Sequence, residues 1–370
     1  MDSPKNTLLT LQYSIGSVLF ALLIFPYLVA AEAQGLVFVS AAKDRSILAY
    51  RQSNLDGSLS LLTSNPIDAE PGYLVANERG TRLFAALRSS GEITTFRIDN
   101  QTGKLTLTSR IQAGADPAYL ALDHTESFLL SAFYRAGKVG IHALNPAGQI
   151  SLQGSEWTPT NLTAHAIQTD PSNQWALVPH TRPNAIYIFR FNPETGDLLS
   201  GAPPLLHTGS FTGPRHLQFH PNLDRVYFDN EQGSSVSAFA FRPEVGQLSH
   251  LQTLSTRASG AKGKNTCADL ELSPDGRFLY ASNRGDNSIA AFQVDESNGK
   301  LKPIGQFPTE AIPRSFAISP SGKWLIAAGQ ASNHLQVYEL KAENGQLIPR
   351  HRLATGMRPW AVLALSQLAH

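Results

Sequence analysis

The sequence has few of the residues that stabilise or functionalise other classes of protein. Its 370 residues include one cysteine, Cys267, so no intramolecular disulfide can form and the fold must be held by its own packing. We predict that Cys267 is a small buried residue and not a nucleophile. Charged residues are only 16% of the chain, with a formal net charge of +1, and form no basic stripe for nucleic acid.

Several common catalytic motifs are also absent. The chain has no P-loop, GxGxxG, GxSxG or HExxH pattern, which removes support for nucleotide, hydrolase-elbow and zincin chemistry. Helical periodicity is not sustained anywhere. The 42% hydrophobic content, with 28 glycines and 23 prolines spread over many turns, is typical of a folded all-β domain.

One hairpin pattern recurs along the chain. A run of alternating apolar and polar residues leads into a turn, and a second run returns from it. In each copy we take as the register residue the one that lies five positions before the second run restarts. Six register residues are found, at spacings of 46, 47, 50, 53 and 46 residues: Glu78, His124, Pro171, Pro221, Pro274 and Pro320. A constant period of this size with four short β segments in each period predicts the blades of a β-propeller.

The two ends of the sequence supply a seventh blade. RPWAVLAL, near the C-terminus, has the pattern of a first strand with no second strand after it. LVFVSAA, SILAYRQ and LSLLTSN, near the N-terminus, have the pattern of second, third and fourth strands. We therefore predict an all-β, seven-bladed β-propeller over residues 35–370, whose last blade is closed between the N- and C-terminal strands.

Residues 1–33 have the composition of an export signal. Lys5 precedes an apolar run from Ile15 to Ala31, and small residues suited to signal peptidase follow up to Ala33. This pattern predicts a periplasmic or secreted protein with no stable membrane association after cleavage. We separately expect a monomer. The alternative is an uncleaved membrane anchor, because the run approaches the ~20 residues that a spanning helix needs, although Pro26 interrupts it.

Two positions of each repeat are predicted to face the central channel at the same end. The first lies six residues before the register residue: Gly72, Ala118, His165, Arg215, Ala268 and Arg314. The second lies ten residues after it: Arg88, Tyr134, Thr181, Glu231, Arg284 and Gln330. Four arginines with acid–base groups beside them indicate an anion site, and a water-filled channel mouth is the alternative. Strand alternation predicts that His216 points away from Arg215.

Several strings resemble a known family. GPRHLQFHPN, DNEQGSSV, CADLELSPDGRFLYASNR and PRSFAISPSGKWLIAAGQ are similar to segments of the seven-bladed 6-phosphogluconolactonases of the cycloisomerase 2 family, which also contains the fungal type of carboxymuconate cyclase. The resemblance extends from about Val37 to Val362. It implies active-site roles for four residues of the two channel sets: His165, Arg215, Glu231 and Arg284.

The chemistry expected of these groups is hydrolysis of 6-phospho-D-glucono-1,5-lactone or a related sugar lactone, without metal or cofactor. Glu231 or His165 would deprotonate water, and Arg215 or Arg284 would stabilise the oxyanion. Calcium is disfavoured beside four arginines. The expected substrate-binding residues are Arg88, Tyr134, Arg314 and Gln330. A lactonising cyclase uses the same groups, and a non-catalytic binding propeller is the third alternative.

Overall fold

The protein is built from antiparallel β-strands. The computed structural model describes residues 34–366, and the predicted export signal at 1–33 lies outside them. No helix in residues 34–366 is long and apolar enough to cross a membrane.

The first fourteen strands are β1 (Gln34–Ala41), β2 (Ser46–Ser53), β3 (Leu59–Pro66), β4 (Pro71–Ala76), β5 (Arg82–Leu87), β6 (Glu92–Ile98), β7 (Leu105–Gln112), β8 (Tyr119–Leu122), β9 (Phe128–Phe133), β10 (Lys138–Leu144), β11 (Ile150–Pro159), β12 (Gln168–Thr169), β13 (Trp175–His180) and β14 (Ala185–Phe191). The others are β15 (Leu198–His207), β16 (Pro214–Phe219), β17 (Arg225–Asn230), β18 (Ser235–Arg242), β19 (Gln247–Ser255), β20 (Cys267–Leu272), β21 (Phe278–Asn283), β22 (Ser288–Val294), β23 (Leu301–Pro308), β24 (Pro313–Ile318), β25 (Trp324–Gly329), β26 (His334–Leu340), β27 (Leu347–Ala354) and β28 (Pro359–Ser366).

These strands form seven four-stranded sheets, and the prediction of a seven-bladed β-propeller is confirmed. Six sheets consist of four consecutive strands, from β4–β7 to β24–β27. The seventh has the order β28-β1-β2-β3, with Val37 on β1 opposite Ala364 on β28. Both ends of the described chain therefore share one blade, in which β28 pairs with β1.

The turn between the first two strands of a blade is held by a side-chain oxygen. Asp170 accepts the N–H of Trp175 at 2.7 Å, and Ser273 accepts the N–H of Phe278 at 3.0 Å. Acceptor and donor are five residues apart in both cases. This capping explains why the second strand restarts at a fixed distance in each repeat.

Neighbouring blades pack through aromatic rings against glycine turns. A Cβ on Gly246 would lie 2.3 Å from the ring of Trp175, and one on Gly345 would lie 2.3 Å from the ring of Phe278. Both glycines also have positive φ, 63° and 70°. Only glycine combines this backbone conformation with such close approach, so these positions fix the spacing between blades.

Candidate active site

The predicted site residues lie at one end of the innermost strands. Each member of the second set directly follows the second strand of its blade, as Glu231 follows β17. Members of the first set lie at, or just before, the start of the first strand, as Arg215 does on β16. The two sets are in contact, since a Cβ on Gly72 would lie 2.8 Å from Cγ of Arg88. The antiparallel pairing thus brings both sets to one mouth of the channel.

A β-bulge at the start of β16 changes the direction of His216. The strand register shifts between Pro214 and Leu217. Arg215 and His216 therefore oppose a single residue of β17, Asp229. Nη1 of Arg215 lies 3.0 Å from Nε2 of His216. The prediction that His216 points away from Arg215 is wrong, because alternation of side chains requires a regular strand.

Glu231 joins two arginines from different blades. Its Oε1 lies 2.7 Å from Nη2 of Arg284, and its Oε2 lies 3.4 Å from Nε of Arg215. Burial raises the pKa of Glu231, but Arg215 and Arg284 outweigh burial and hold the pKa below its ordinary value. Nη2 of Arg284 also donates to the carbonyl oxygen of Cys267 at 2.9 Å. The carboxylate is ionised and fixes the two guanidinium groups beside each other.

His165 lies next to this ion pair as a neutral imidazole. Its side chain is 6% exposed, and its Nδ1 has no hydrogen-bond partner within residues 34–366. Its ring centroid is 5.1 Å from that of His216 and 5.6 Å from that of Tyr134. Burial, followed by the charge of Arg215, lowers the pKa of His165 well below its ordinary value. A neutral imidazole beside these arginines makes His165 a candidate general base.

The other two arginines of the rings pack on an indole. The guanidinium carbons of Arg314 and Arg88 lie 4.0 Å and 4.8 Å from the ring centroid of Trp360. Arg88 also forms an ion pair of 2.6 Å with Asp116. Burial, then Arg215 among other cations, lowers the pKa of Arg314 well below its ordinary value. Arg314 has no ion pair or hydrogen bond with the described residues, so its charge is available to an anionic ligand.

The remaining expected binding residues are also at this mouth. The hydroxyl of Tyr134 accepts a hydrogen bond from Oγ1 of Thr181 at 3.3 Å. Gln330 directly follows β25, and its backbone N–H donates to the carbonyl of Ile312 at 2.9 Å. In the part of the chain from 34 to 366, no group of three or more His, Cys, Asp or Glu could hold a metal ion.

Cys267 is buried at the start of β20, as predicted. Burial raises the pKa of its thiol to about 12, so the thiolate is not formed near neutral pH.

Sequence reasoning missed three residues of this mouth, His216, Asp269 and Trp360. Trp360 had a usable signal, because it follows Pro359 as Arg314 follows Pro313 and is therefore the seventh member of the first set. Asp269 is at the position in β20 that His216 has in β16, and the two form a 2.8 Å contact. That pair could not be recognised while His216 was expected to point away.

Comparison with known proteins identifies the family. A family model described as "Lactonase, 7-bladed beta-propeller" matches residues 35–364. The 6-phosphogluconolactonase of Serratia proteamaculans is 36% identical over 158 residues, which are 42% of this chain and 47% of that protein. That of Pectobacterium carotovorum is 34% identical over 154 residues, 42% of this chain and 46% of that protein. These alignments span about half the length of the curated relatives.

A solved structure extends the likeness to the whole ring. The periplasmic gluconolactonase of Pseudomonas aeruginosa superposes with a TM-score of 0.83 at 26% identity, over 90% of this chain and 99% of that chain. The extent of the family match, together with the seven four-stranded sheets, means that this chain belongs to the seven-bladed β-propeller lactonase family.

Proposed function

We propose that this protein hydrolyses a sugar lactone to the free hydroxy acid. One observation carries the proposal: His165, a neutral imidazole with an unpaired Nδ1, lies in the same buried mouth as Arg215 and Arg284, which Glu231 holds together. A general base beside fixed cations is what attack of water on a carbonyl requires. The names of the curated relatives, 6-phosphogluconolactonases, support the same reaction class.

His165 fits the role of the base better than Glu231. Both oxygens of Glu231 face guanidinium groups, Oε1 at 2.7 Å from Arg284 and Oε2 at 3.4 Å from Arg215, so both are engaged by cations. Nδ1 of His165 has no hydrogen-bond partner among the described residues. We assign Glu231 the task of fixing the two arginines, a role that needs its charge but not its basicity.

The reaction then proceeds without a covalent intermediate. His165 takes a proton from water, and the resulting hydroxide forms a bond to the lactone carbonyl carbon. Arg215 and Arg284 stabilise the tetrahedral oxyanion. The bond from this carbon to the ring oxygen breaks, and the ring oxygen takes its proton from protonated His165. The product is an open-chain hydroxy acid.

We further propose that the substrate carries an anionic group. Arg314 is a half-buried cation with no carboxylate ion-pair partner in the described chain, and it is repelled by Arg215 and Arg284. A phosphate or carboxylate beside Arg314 and Arg88 would relieve this repulsion, and guanidinium groups can bind such groups through two hydrogen bonds. A phosphorylated sugar lactone is therefore the first candidate, and an unphosphorylated gluconolactone is the second.

We also propose that residues 1–33 direct export. The relative from Pseudomonas aeruginosa is described as periplasmic, which is compatible with this role. Fractionation of cells expressing the full chain tests it. A processed protein in the periplasm or medium is expected, whereas intact precursor in the cytoplasm or membrane fraction would contradict cleavage and export.

A hydrolysis assay tests the activity. 6-Phosphogluconolactone and glucono-1,5-lactone are offered separately, and spontaneous hydrolysis is subtracted at each pH. We expect the protein to accelerate hydrolysis of the phosphorylated lactone, and to accelerate hydrolysis of the neutral lactone less. No acceleration of either would remove the lactonase assignment and favour a cyclase or a binding propeller.

A further inference from the structure

His216 connects Arg215 to a buried carboxylate of the next blade. Its Nε2 lies 3.0 Å from Nη1 of Arg215, and its Nδ1 lies 2.8 Å from Oδ1 of Asp269. Arg215, His216 and Asp269 are 2%, 5% and 3% exposed. Neither His216 nor Asp269 has a part in the reaction described above, yet together they hold one side of Arg215.

The hydrogen bonds of Asp269 fix the tautomer of His216. Oδ1 accepts the N–H of Leu270 at 3.1 Å, and Oδ2 accepts the N–H of Phe316 at 3.1 Å. Since both carboxylate oxygens accept from backbone, Nδ1 of His216 must be the donor in its contact with Asp269. Nε2 then carries a lone pair, which accepts the hydrogen bond from Arg215. Burial first, and then Arg215, lowers the pKa of His216 to about 4, so the ring stays neutral near neutral pH.

A neutral acceptor is useful to an arginine that must bind an oxyanion. A guanidinium group has five N–H donors. One donor of Arg215 is used by His216, and its Nε faces Glu231 at 3.4 Å. A second carboxylate in direct contact would hold the group equally well but would cancel its positive charge. The imidazole keeps the orientation and leaves the charge for the substrate.

This arrangement also separates the two histidines of the mouth. The Nε2 lone pair of His216 is occupied by Arg215, so it cannot take a proton from water. Nδ1 of His165 has no partner within the described residues. His216 therefore acts through Arg215 and does not itself serve as a base.

We propose that Asp269 and His216 are positioning residues: Asp269 holds the imidazole of His216 in the tautomer whose Nε2 accepts from Arg215, and this orients the guanidinium toward the oxyanion. The inference rests on the proposed lactonase function. It assigns the orientation of Arg215 to a pair that spans two blades and lies outside the four residues of the family resemblance.

Kinetics of matched variants provide the first test. His216→Phe keeps a ring but removes the acceptor, and should lower kcat about tenfold or more with a smaller change in KM. His216→Gln places an amide oxygen where Nε2 was, and should restore most of that loss. Asp269→Asn should lower kcat in the parent background but add little in the His216→Phe background, because both changes remove one interaction.

A control variant reports what a lost inter-blade bond does by itself. Oγ of Ser315, at the corresponding position of the next blade, accepts the N–H of Val362 at 3.2 Å. Ser315→Ala removes an inter-blade bond at the same level of the channel without touching Arg215. Its kcat should stay within about twofold of the parent value.

Two measurements do not depend on turnover. Nitrogen NMR of ¹⁵N-histidine-labelled protein, with the signals of residue 216 assigned by their loss in His216→Phe, should show a protonated Nδ1 and an unprotonated Nε2. Asp269→Asn should change that pattern. Titration with inorganic phosphate, which we place beside Arg314 and Arg88, should give a Kd no weaker in Asp269→Asn or Ser315→Ala than in the parent, so that a fall in kcat is not a loss of anion binding.

These readouts separate the two proposals. A parent protein that hydrolyses no lactone removes the proposed function, while the tautomer of His216 still decides the positioning role. A protonated Nε2 in the parent overturns the positioning role. So does unchanged kcat in both His216→Phe and Asp269→Asn, or losses that add fully in the double variant.

Discussion

Oε1 of Glu231 lies 2.7 Å from Nη2 of Arg284, and these residues follow the second strands, β17 and β21, of neighbouring blades. The same carboxylate faces Arg215, whereas Arg314 and the fourth arginine of the rings pack on the indole of Trp360. We infer that the mouth has a reaction half around Glu231 and an anion-binding half around Trp360. Substitutions can test the two halves separately.

His165→Gln removes the proposed base. We expect kcat for lactone hydrolysis to fall by about 10² or more with little change in KM, because proton transfer is lost while substrate contacts with the arginines remain. Steady-state kinetics measure both constants. His124→Gln, at an exposed turn, is the matched control and should leave kcat unchanged. Equal kcat in the His165 variant and the parent would place the base elsewhere.

The pH dependence of the reaction should follow from the lowered pKa values of both candidate bases. Burial and Arg215 lower the pKa of His165, and two arginines outweigh burial in lowering that of Glu231. A base with a lowered pKa stays unprotonated to more acidic pH, so enzymatic kcat/KM should be constant from about pH 6 to about pH 8 and fall only below that range. A midpoint near 6.5 that disappears in His165→Gln would mean an unperturbed imidazole.

Glu231→Gln tests the role of the carboxylate in fixing two arginines. Glutamine keeps the shape but loses the charge that pairs with Arg215 and Arg284. We expect kcat to fall about tenfold to a hundredfold, while KM for an anionic lactone stays level or falls, because the mouth becomes more positive. A raised KM with unchanged kcat would assign Glu231 to substrate binding instead.

The repeat spacing was sufficient to predict the blades and the two sets of residues that lie at the channel mouth. Side-chain capping, as by Asp170 and Ser273, makes the distance between the first two strands constant. Residues at the same distance from the turn therefore lie at the same height along the channel in each blade. For this reason His165, Arg215 and Glu231 could be placed at one mouth from the sequence alone.

The local direction of side chains could not be predicted in the same way. Alternation assumes a regular strand, but β16 has a bulge in which Asp229 accepts the N–H of His216 at 2.6 Å. This side-chain contact is between residues 13 positions apart and leaves no periodic signal in the sequence. The contact of His216 with Asp269 crosses blades and depends on the same bulge.

Asp229→Asn should make the pH dependence of stability flatter. Burial raises the pKa of Asp229 from 3.8 to about 7, and its Oδ2 has no hydrogen-bond partner in residues 34–366. A carboxyl whose pKa rises on folding stabilises the fold when protonated, and that contribution is lost as the pH rises from about 4 through about 7. The variant should be more stable than the parent by about 1 kcal/mol or more at pH 8, and by less at pH 5.

Thermal or urea unfolding at both pH values checks this expectation. Asp275→Asn is a control in which the effect on stability should have the opposite sign. Burial raises the pKa of Asp275, but hydrogen bonds from Ser273 and Arg277 outweigh burial and lower the pKa overall. That variant should lose a little stability at pH 8. A parent protein at least as stable as Asp229→Asn at pH 8 would show that Arg215 compensates the buried charge fully.

Arg314→Gln tests whether the half around Trp360 binds the anionic group of the substrate. Arg314 is a half-buried cation without an ion pair in the described chain and is repelled by other arginines, so its removal should not lower the melting temperature. For a phosphorylated lactone we expect KM to rise about tenfold or more, since one charged hydrogen-bond donor is lost. For a neutral lactone KM should change little. With either substrate, kcat of the variant should stay close to that of the parent. Trp360→Leu should have the same pattern with a smaller effect, because the ring orients Arg314 but carries no charge.

Arg358→Gln is the matched control for this experiment. Its guanidinium carbon lies 5.0 Å from the centroid of Trp360, but its side chain is 39% exposed and lies 4.0 Å from Glu70. Both substitutions remove one positive charge. An effect of the overall electrostatic potential on KM would therefore appear in both variants, whereas the loss of a specific contact with the substrate would raise KM only in Arg314→Gln. Equal increases of KM for phosphorylated and neutral lactones would mean that Arg314 shapes the site without recognising charge. Unchanged KM for both substrates would place the anion at another part of the mouth.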